Sequence, residues 1–133
     1  MTAHSQSESN GASRQVVTIN AHTLFADLTP APGETSSAPD PHDYFDVSLA
    51  TCKALTAVWY ARKNAIALER VEAYVDRDAS KERAGTYGLH VKVAFFGPLS
   101  EEEKTKLFDV IERCPIHKLM TSTTVEISSE MLA

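Results

Sequence analysis

Residues 15–28 read QVVTINAHTLFADL, with β-branched and aromatic positions on both sides of Asn20-Ala21-His22, a pattern that predicts two short strands joined by a turn. The following TPAPGETSSAPDP holds four of the six prolines and reads as an exposed loop of about a dozen residues. Asp40-Pro41 then suits a helix start, because Asp accepts from the free first-turn amides and Pro needs no donor there. From residue 41 to 64 neither Gly nor Pro intervenes, and Tyr44, Ser48, Cys52, Leu55 and Trp59 recur at three- and four-residue steps, which places them on one helical face. Small residues at Ser48, Ala50, Ala54, Ala57 and Ala61 let another backbone approach closely, so this helix is expected at the centre of the fold. Residues 68–78 alternate loosely and read as a half-exposed strand, the KERAG stretch as a turn, and residues 87–96 as its antiparallel partner. Ser100 with Glu103 forms a capping-box signature for a helix running to Arg113, which Pro115 stops. TTVEIS, at 123–128, is expected to close the chain as a last strand. The polar residues 1–13 are expected to be a disordered tail. This order predicts an α+β fold without internal repeats.

Composition sharpens the picture only modestly. With 133 residues, 43% apolar and 23% charged, the chain suits one domain over residues 14–133, with a core that needs no covalent staples. Lys and Arg total 13 against 18 acidic residues, a net charge of −5 without any basic cluster, which argues against nucleic acid and anionic membranes as partners. No apolar run approaches the roughly 18–20 residues of a membrane span, and the N-terminus has no signal-like pattern. A cytoplasmic protein is expected. In a reducing compartment Cys52 and Cys114 read as reactive, metal-binding or buried thiols before they read as a structural bridge.

Cys52 lies mid-helix in SLATCKALT and Cys114 in ERCPIHKLM, without CxxC or CxxH spacing. Two readings follow: two separately buried thiols, or a pair brought together by folding in which one attacks and the other resolves. The second needs an activator, because only the thiolate is a nucleophile. Lys53, Arg62, Arg113, His42 and His117 are the candidates. Lys53 points roughly 100° away from Cys52 around the helix and reads as solvated. His117 shares the face of Cys114 if a helical turn follows Pro115; a structural histidine is its other reading. Convergence of Cys52, Cys114, His42 and His117 would suit zinc.

The stretches PDPHDYFDVSLATCKALTAVWYARKNAIALERVEAYV and FDVIERCPIHKLMTSTTVEI resemble the OsmC/Ohr family of osmotically inducible and organic-hydroperoxide-resistance proteins. The resemblance rests on a Pro eleven residues before a helical Cys, small residues ahead of that Cys, a Tyr-Ala pair after it, and a late Cys-Pro. It covers residues 14–129. It implies antiparallel sheets packed around long central helices in an intertwined homodimer, and a cysteine-based peroxidase of peroxiredoxin type. Cys52 would attack the hydroperoxide, Cys114 would resolve through a disulfide, and a lipoylated protein or other dithiol would act as reductant, with no cofactor. In the peroxidase members a Glu follows the motif Pro and pairs with an N-terminal Arg, whereas here His42 follows Pro41 and the only Arg ahead of the helix is Arg14. His42 is either a catalytic substitute for that pair or an exposed first-turn residue. Tyr44, Phe45, Leu55, Trp59 and Met120 are the expected lining of an apolar substrate pocket, with core or dimer interface as their other reading. The alternative function is a non-catalytic, redox-sensing or small-ligand-binding dimer.

Overall fold

Asn20, at a φ of 54°, turns the chain between β2 (Gln15–Ile19) and β3 (His22–Ala26). Ile19 pairs with His22, so the loop has only two residues, and Asn tolerates the left-handed conformation such loops require. In the computed structural model, which describes residues 2–133, β1 (Ala3–Ser7) adds to this hairpin antiparallel, from Ala3 opposite Ile19 to Ser7 opposite Gln15. The expectation of an unstructured N-terminal tail is thereby corrected. Its polar side chains stay exposed; what orders the segment is the backbone ladder to β2, supplemented by Gln15, which donates to the Ser13 carbonyl at 2.9 Å and accepts from Ser5 Oγ at 3.2 Å. Met1 lies outside the described residues.

The chain forms two compact units, Met1–Phe45 and Asp46–Ala133. In the first, the loop after β3 is fixed by Asp27, which accepts from Ser37 Oγ at 2.6 Å and Ser13 Oγ at 2.7 Å. These bonds hold its carboxyl below the usual carboxylate range. Asp40 caps α1 (Pro41–Lys63) as expected: its Oδ1 accepts from the Asp43 amide at 2.9 Å, and its own amide donates to Asp43 Oδ2 at 3.0 Å. Tyr44 donates its hydroxyl proton to the Phe25 carbonyl.

The second unit contains the rest of α1, the hairpin β4 (Arg70–Asp78) and β5 (Gly88–Phe96), α2 (Glu101–Ile111) and α3 (Pro115–Ser122). The strands pair antiparallel from Arg70 opposite Phe96 to Asp78 opposite Gly88. At Gly97, with φ of 138°, a Cβ would strike the Ala67 carbonyl, so only glycine leaves this hairpin for α2 without strain. The predicted capping box is present, with the Glu103 amide donating to Ser100 Oγ at 3.1 Å and the Ser100 amide to Glu103 Oε1 at 3.0 Å. Ala57 and Ala61 of α1 and Leu107 and Ile111 of α2 form the buried cluster; the alanines let the two helices approach.

The face of α1 that is buried differs from the expected one. Asp46, Leu49, Ala50, Lys53, Ala57 and Ala61 are buried, whereas Leu55 and Trp59 are 62% and 58% exposed. The burial stripe carries two charged residues, each with partners, and a hydropathy pattern assigns such residues to solvent. Asp46 accepts from Arg77 Nε through Oδ2 and from Tyr87 Oη at 2.6 Å through Oδ1. Burial, reinforced by the Asp46 hydrogen bond, pushes the Tyr87 phenol up to about 12. A pKa raised above the unfolded value near 10 means that Tyr87 supports the fold fully below pH ~10 and loses that support as pH climbs toward 12. Urea titrations between pH 9 and 12 should therefore show a stability loss on the order of 1–2 kcal/mol that Tyr87→Phe removes; equal slopes in both proteins would contradict this.

The last strand expected at 123–128 is not formed. Residues 123–133 are exposed and carry neither helix nor strand, with Val125 60% and Ile127 85% exposed. A strand needs a ladder partner, and the alternating apolar pattern specifies only the side-chain periodicity. Among the described residues no helix is long and apolar enough to cross a membrane.

Candidate active site

Cys52 is half-buried in the middle of α1, and Cys114 is fully buried between α2 and α3. The turn that ends α2 and the proline that opens α3 bring Cys114 back toward α1. Both thiols are free, and Cys52 lies near enough to Cys114 to act on its ionisation. Cys114 is also the N-cap of α3, its Sγ accepting from the His117 amide at 3.4 Å. Burial pushes the Cys114 thiol up, the His117 amide pulls it down, the Cys52 neighbour raises it and the charge of Lys53 lowers it; the net direction is upward. Cys114 thus keeps its proton.

Lys53 corrects the solvated reading drawn from the sequence. It is 3% exposed, and its Nζ donates to the Ile111 carbonyl at 3.0 Å and to His117 Nδ1 at 3.1 Å, with Glu112 Oε1 at 3.7 Å. Two features make this a stable place for a cation. The Ile111 carbonyl belongs to the last turn of α2, the negative end of the helix dipole, and Glu112 supplies a counter-charge. An ammonium has no acceptor, so His117 Nδ1 is the acceptor and the ring proton is on Nε2. The turn of helix expected after Pro115 is present as α3 and puts His117 in the site.

His42 is exposed in the first turn of α1, ten residues ahead of Cys52. Arg14 stacks its guanidinium on Phe25, 4.1 Å from the ring centroid, with Glu8 Oε1 3.7 Å from its Nε. Leu55 and Trp59 line an open groove with Val58, Arg62 and Lys63; Tyr44 is half-buried and bonded to Phe25, Phe45 is exposed, and Met120 is half-buried on α3. Among the described residues no group of three or more His, Cys, Asp or Glu is placed to hold a metal ion, so the zinc convergence is not formed.

An antiparallel α+β fold with two adjacent reduced thiols, one at a helix centre and one at a helix cap, is a recognisable class of architecture. The family model described as OsmC-like protein matches residues 33–130, and the chain belongs to that family. Among solved structures it is similar to an OsmC-like protein from Mycoplasma pneumoniae (20% identity, 91% of this chain and 86% of that one, TM-score 0.73). It is also similar to the organic hydroperoxide resistance protein OsmC from Legionella pneumophila (23%, 91% and 88%, 0.64). A third likeness is to the organic hydroperoxide resistance protein OhrB of Bacillus subtilis (19%, 91% and 90%, 0.59). At these identities the likenesses establish the fold. Among curated proteins no sequence matches.

Proposed function

We propose that the chain is a thiol-dependent organic hydroperoxide reductase, acting in a reducing compartment as an intertwined homodimer. The observation that carries this reading is the two free thiols, Cys52 half-buried on α1 and Cys114 buried at the start of α3, near enough for the first to act on the ionisation of the second. Cys52, the more accessible sulfur, attacks the hydroperoxide: an S–O bond forms, the O–O bond breaks, and the alcohol leaves after taking a proton. Cys114 then attacks the sulfenic acid; the S–S bond forms, the S–O bond breaks, and water leaves. An external dithiol, such as a lipoylated protein, returns both thiols. A neighbouring thiol makes chemical sense here, because it captures the sulfenic acid before a second oxidation. The names of the Legionella and Bacillus relatives support a hydroperoxide as substrate. The exposed Leu55, Trp59, Val125 and Ile127 support a partner chain covering α1 and the C-terminal segment.

The decisive measurement is stopped-flow oxidation of the reduced protein by an alkyl hydroperoxide. Both thiols should disappear per equivalent of peroxide, far faster than a small free thiol reacts, and mass spectrometry should find one Cys52–Cys114 disulfide. A thiol titre that falls no faster than that of the free thiol sinks the reading. One observation favours the non-catalytic alternative: Arg14, the sole Arg ahead of α1, is engaged by Phe25 and Glu8. A stoichiometric disulfide that dithiols do not recycle would select that alternative.

A further inference from the structure

Lys53 is a charged side chain at 3% exposure, one residue from the attacking cysteine, and the two-cysteine chemistry alone does not require it. Its three partners fix its position: the Ile111 carbonyl at 3.0 Å, His117 Nδ1 at 3.1 Å and Glu112 Oε1 at 3.7 Å. Two of them bracket Cys114 in sequence, and the amide of His117 reaches the Cys114 sulfur at 3.4 Å. The α2–α3 junction therefore holds the resolving sulfur and the lysine charge in one frame. We propose that Lys53 is a positioning residue for the second chemical step, its fixed ammonium stabilising the Cys114 thiolate that attacks oxidised Cys52. This rests on the peroxidase reading for its place in the reaction, but the electrostatic claim stands apart from it.

The order of events follows from the charges. The groups that act on Cys114 are Cys52 and Lys53 from α1 and His117 from α3, and Glu112 at the end of α2 lies against Lys53. While Cys52 is reduced, it pushes the Cys114 thiol up and so opposes the pull of Lys53. Conversion of Cys52 to a neutral sulfenic acid removes that opposition and leaves the lysine charge in place. Cys114 then loses its proton and attacks; the S–S bond forms as the S–O bond breaks, and the hydroxide takes up a proton and departs as water. The resolving thiolate is in this way produced after the first oxidation, when it is needed, and the site avoids holding two thiolates side by side.

Two measurements test this. In the first, reduced protein is mixed with one equivalent of alkyl hydroperoxide and acid-quenched, and sulfenic acid and disulfide are counted by mass spectrometry. Lys53→Met should slow disulfide formation about tenfold or more at pH 7, the effect of raising a thiol pKa by about one unit, and should move the pH profile of that step to higher pH. Sulfenic acid formation should change far less, and Lys53→Arg should recover most of the second step. Equal slowing of both steps, or an unmoved pH profile, overturns the proposal. The second measurement needs no peroxide chemistry: in Cys52→Ser protein the Cys114 thiolate is titrated by its ultraviolet absorbance. Adding Lys53→Met should raise the midpoint, and adding the half-exposed Glu112→Gln should lower it. If the wild type forms no sulfenic acid but these midpoints move, the peroxidase reading falls and the electrostatic role of Lys53 stands. Midpoints that do not move overturn the Lys53 proposal whatever the peroxide does; should Lys53→Met fail to fold, Glu112→Gln decides the same question.

Discussion

Cys52→Ser protein is expected to lose rapid hydroperoxide consumption altogether, a fall on the order of 10^3-fold or more, the scale on which removal of an attacking atom acts. Cys114→Ser should behave differently: one rapid turnover, then a stall. The asymmetry follows from the environments of the two sulfurs. Cys52 is half-buried and Cys114 fully buried, so a peroxide reaches the first and not the second. Cys114 is held protonated chiefly by burial, and a thiol that keeps its proton is a poor first nucleophile. With serine at 114 the sulfenic acid at Cys52 has no thiol to condense with, and excess peroxide should drive it to sulfinic acid, which dithiols do not reverse. The measurement is peroxide consumed per chain with a dithiol in excess, combined with the mass of the oxidised product. If Cys114→Ser cycles as fast as wild type, the reductant attacks Cys52 directly and the resolving role is wrong; if Cys52→Ser retains the burst, the attacking sulfur has been misassigned.

The sequence carried some of this site plainly and hid the rest for identifiable reasons. Capping chemistry is local, so Asp40 and Ser100 announced both helix starts correctly. Alternating hydropathy placed β4 and β5, and the Asn20 turn was legible because two-residue hairpin loops require backbone conformations that few residues tolerate. The pairing of Cys52 with Cys114 was open, since 62 residues of chain separate them and only tertiary packing closes that gap. Lys53 was misread because angular position on a helix says which way a side chain leaves the backbone, and not whether a carbonyl and a histidine wait there. Asp46 was missed likewise: its partners Arg77 and Tyr87 lie 31 and 41 residues away. Both errors had one cause, a buried stripe of α1 that is alanine interrupted by paired charges, whose larger apolar residues, Leu55 and Trp59, face outward. The β1 segment shows the converse, a polar stretch ordered chiefly by backbone pairing.

Leu107→Ala is expected to cost about 2–5 kcal/mol, the range for deleting a fully buried leucine whose surroundings cannot collapse. Leu107 has no exposed surface and packs with Ala57, Ala61 and Ile111. The alanines are too small to swing into the void, and the larger neighbours, among them Leu68 and Phe95, already pack against the cluster. Against a total stability of roughly 5–15 kcal/mol such a loss is a large fraction. Urea unfolding at fixed protein concentration should show a lower midpoint with an unchanged slope, and Leu107→Met, which preserves volume, should cost less than about 1.5 kcal/mol. The consequence reaches the thiols, because Ile111 is both a wall of this cluster and the residue whose carbonyl holds Lys53 at 3.0 Å. A cavity beside Ile111 loosens the end of α2, from which Cys114 follows three residues later. Disulfide formation in Leu107→Ala should therefore slow even under conditions where the variant is fully folded, while Leu107→Met leaves it intact. A Leu107→Ala protein that loses less than about 1 kcal/mol would show that the cluster repacks around the gap, and the same helix end would then be too compliant to hold the Lys53 ammonium at the Ile111 carbonyl.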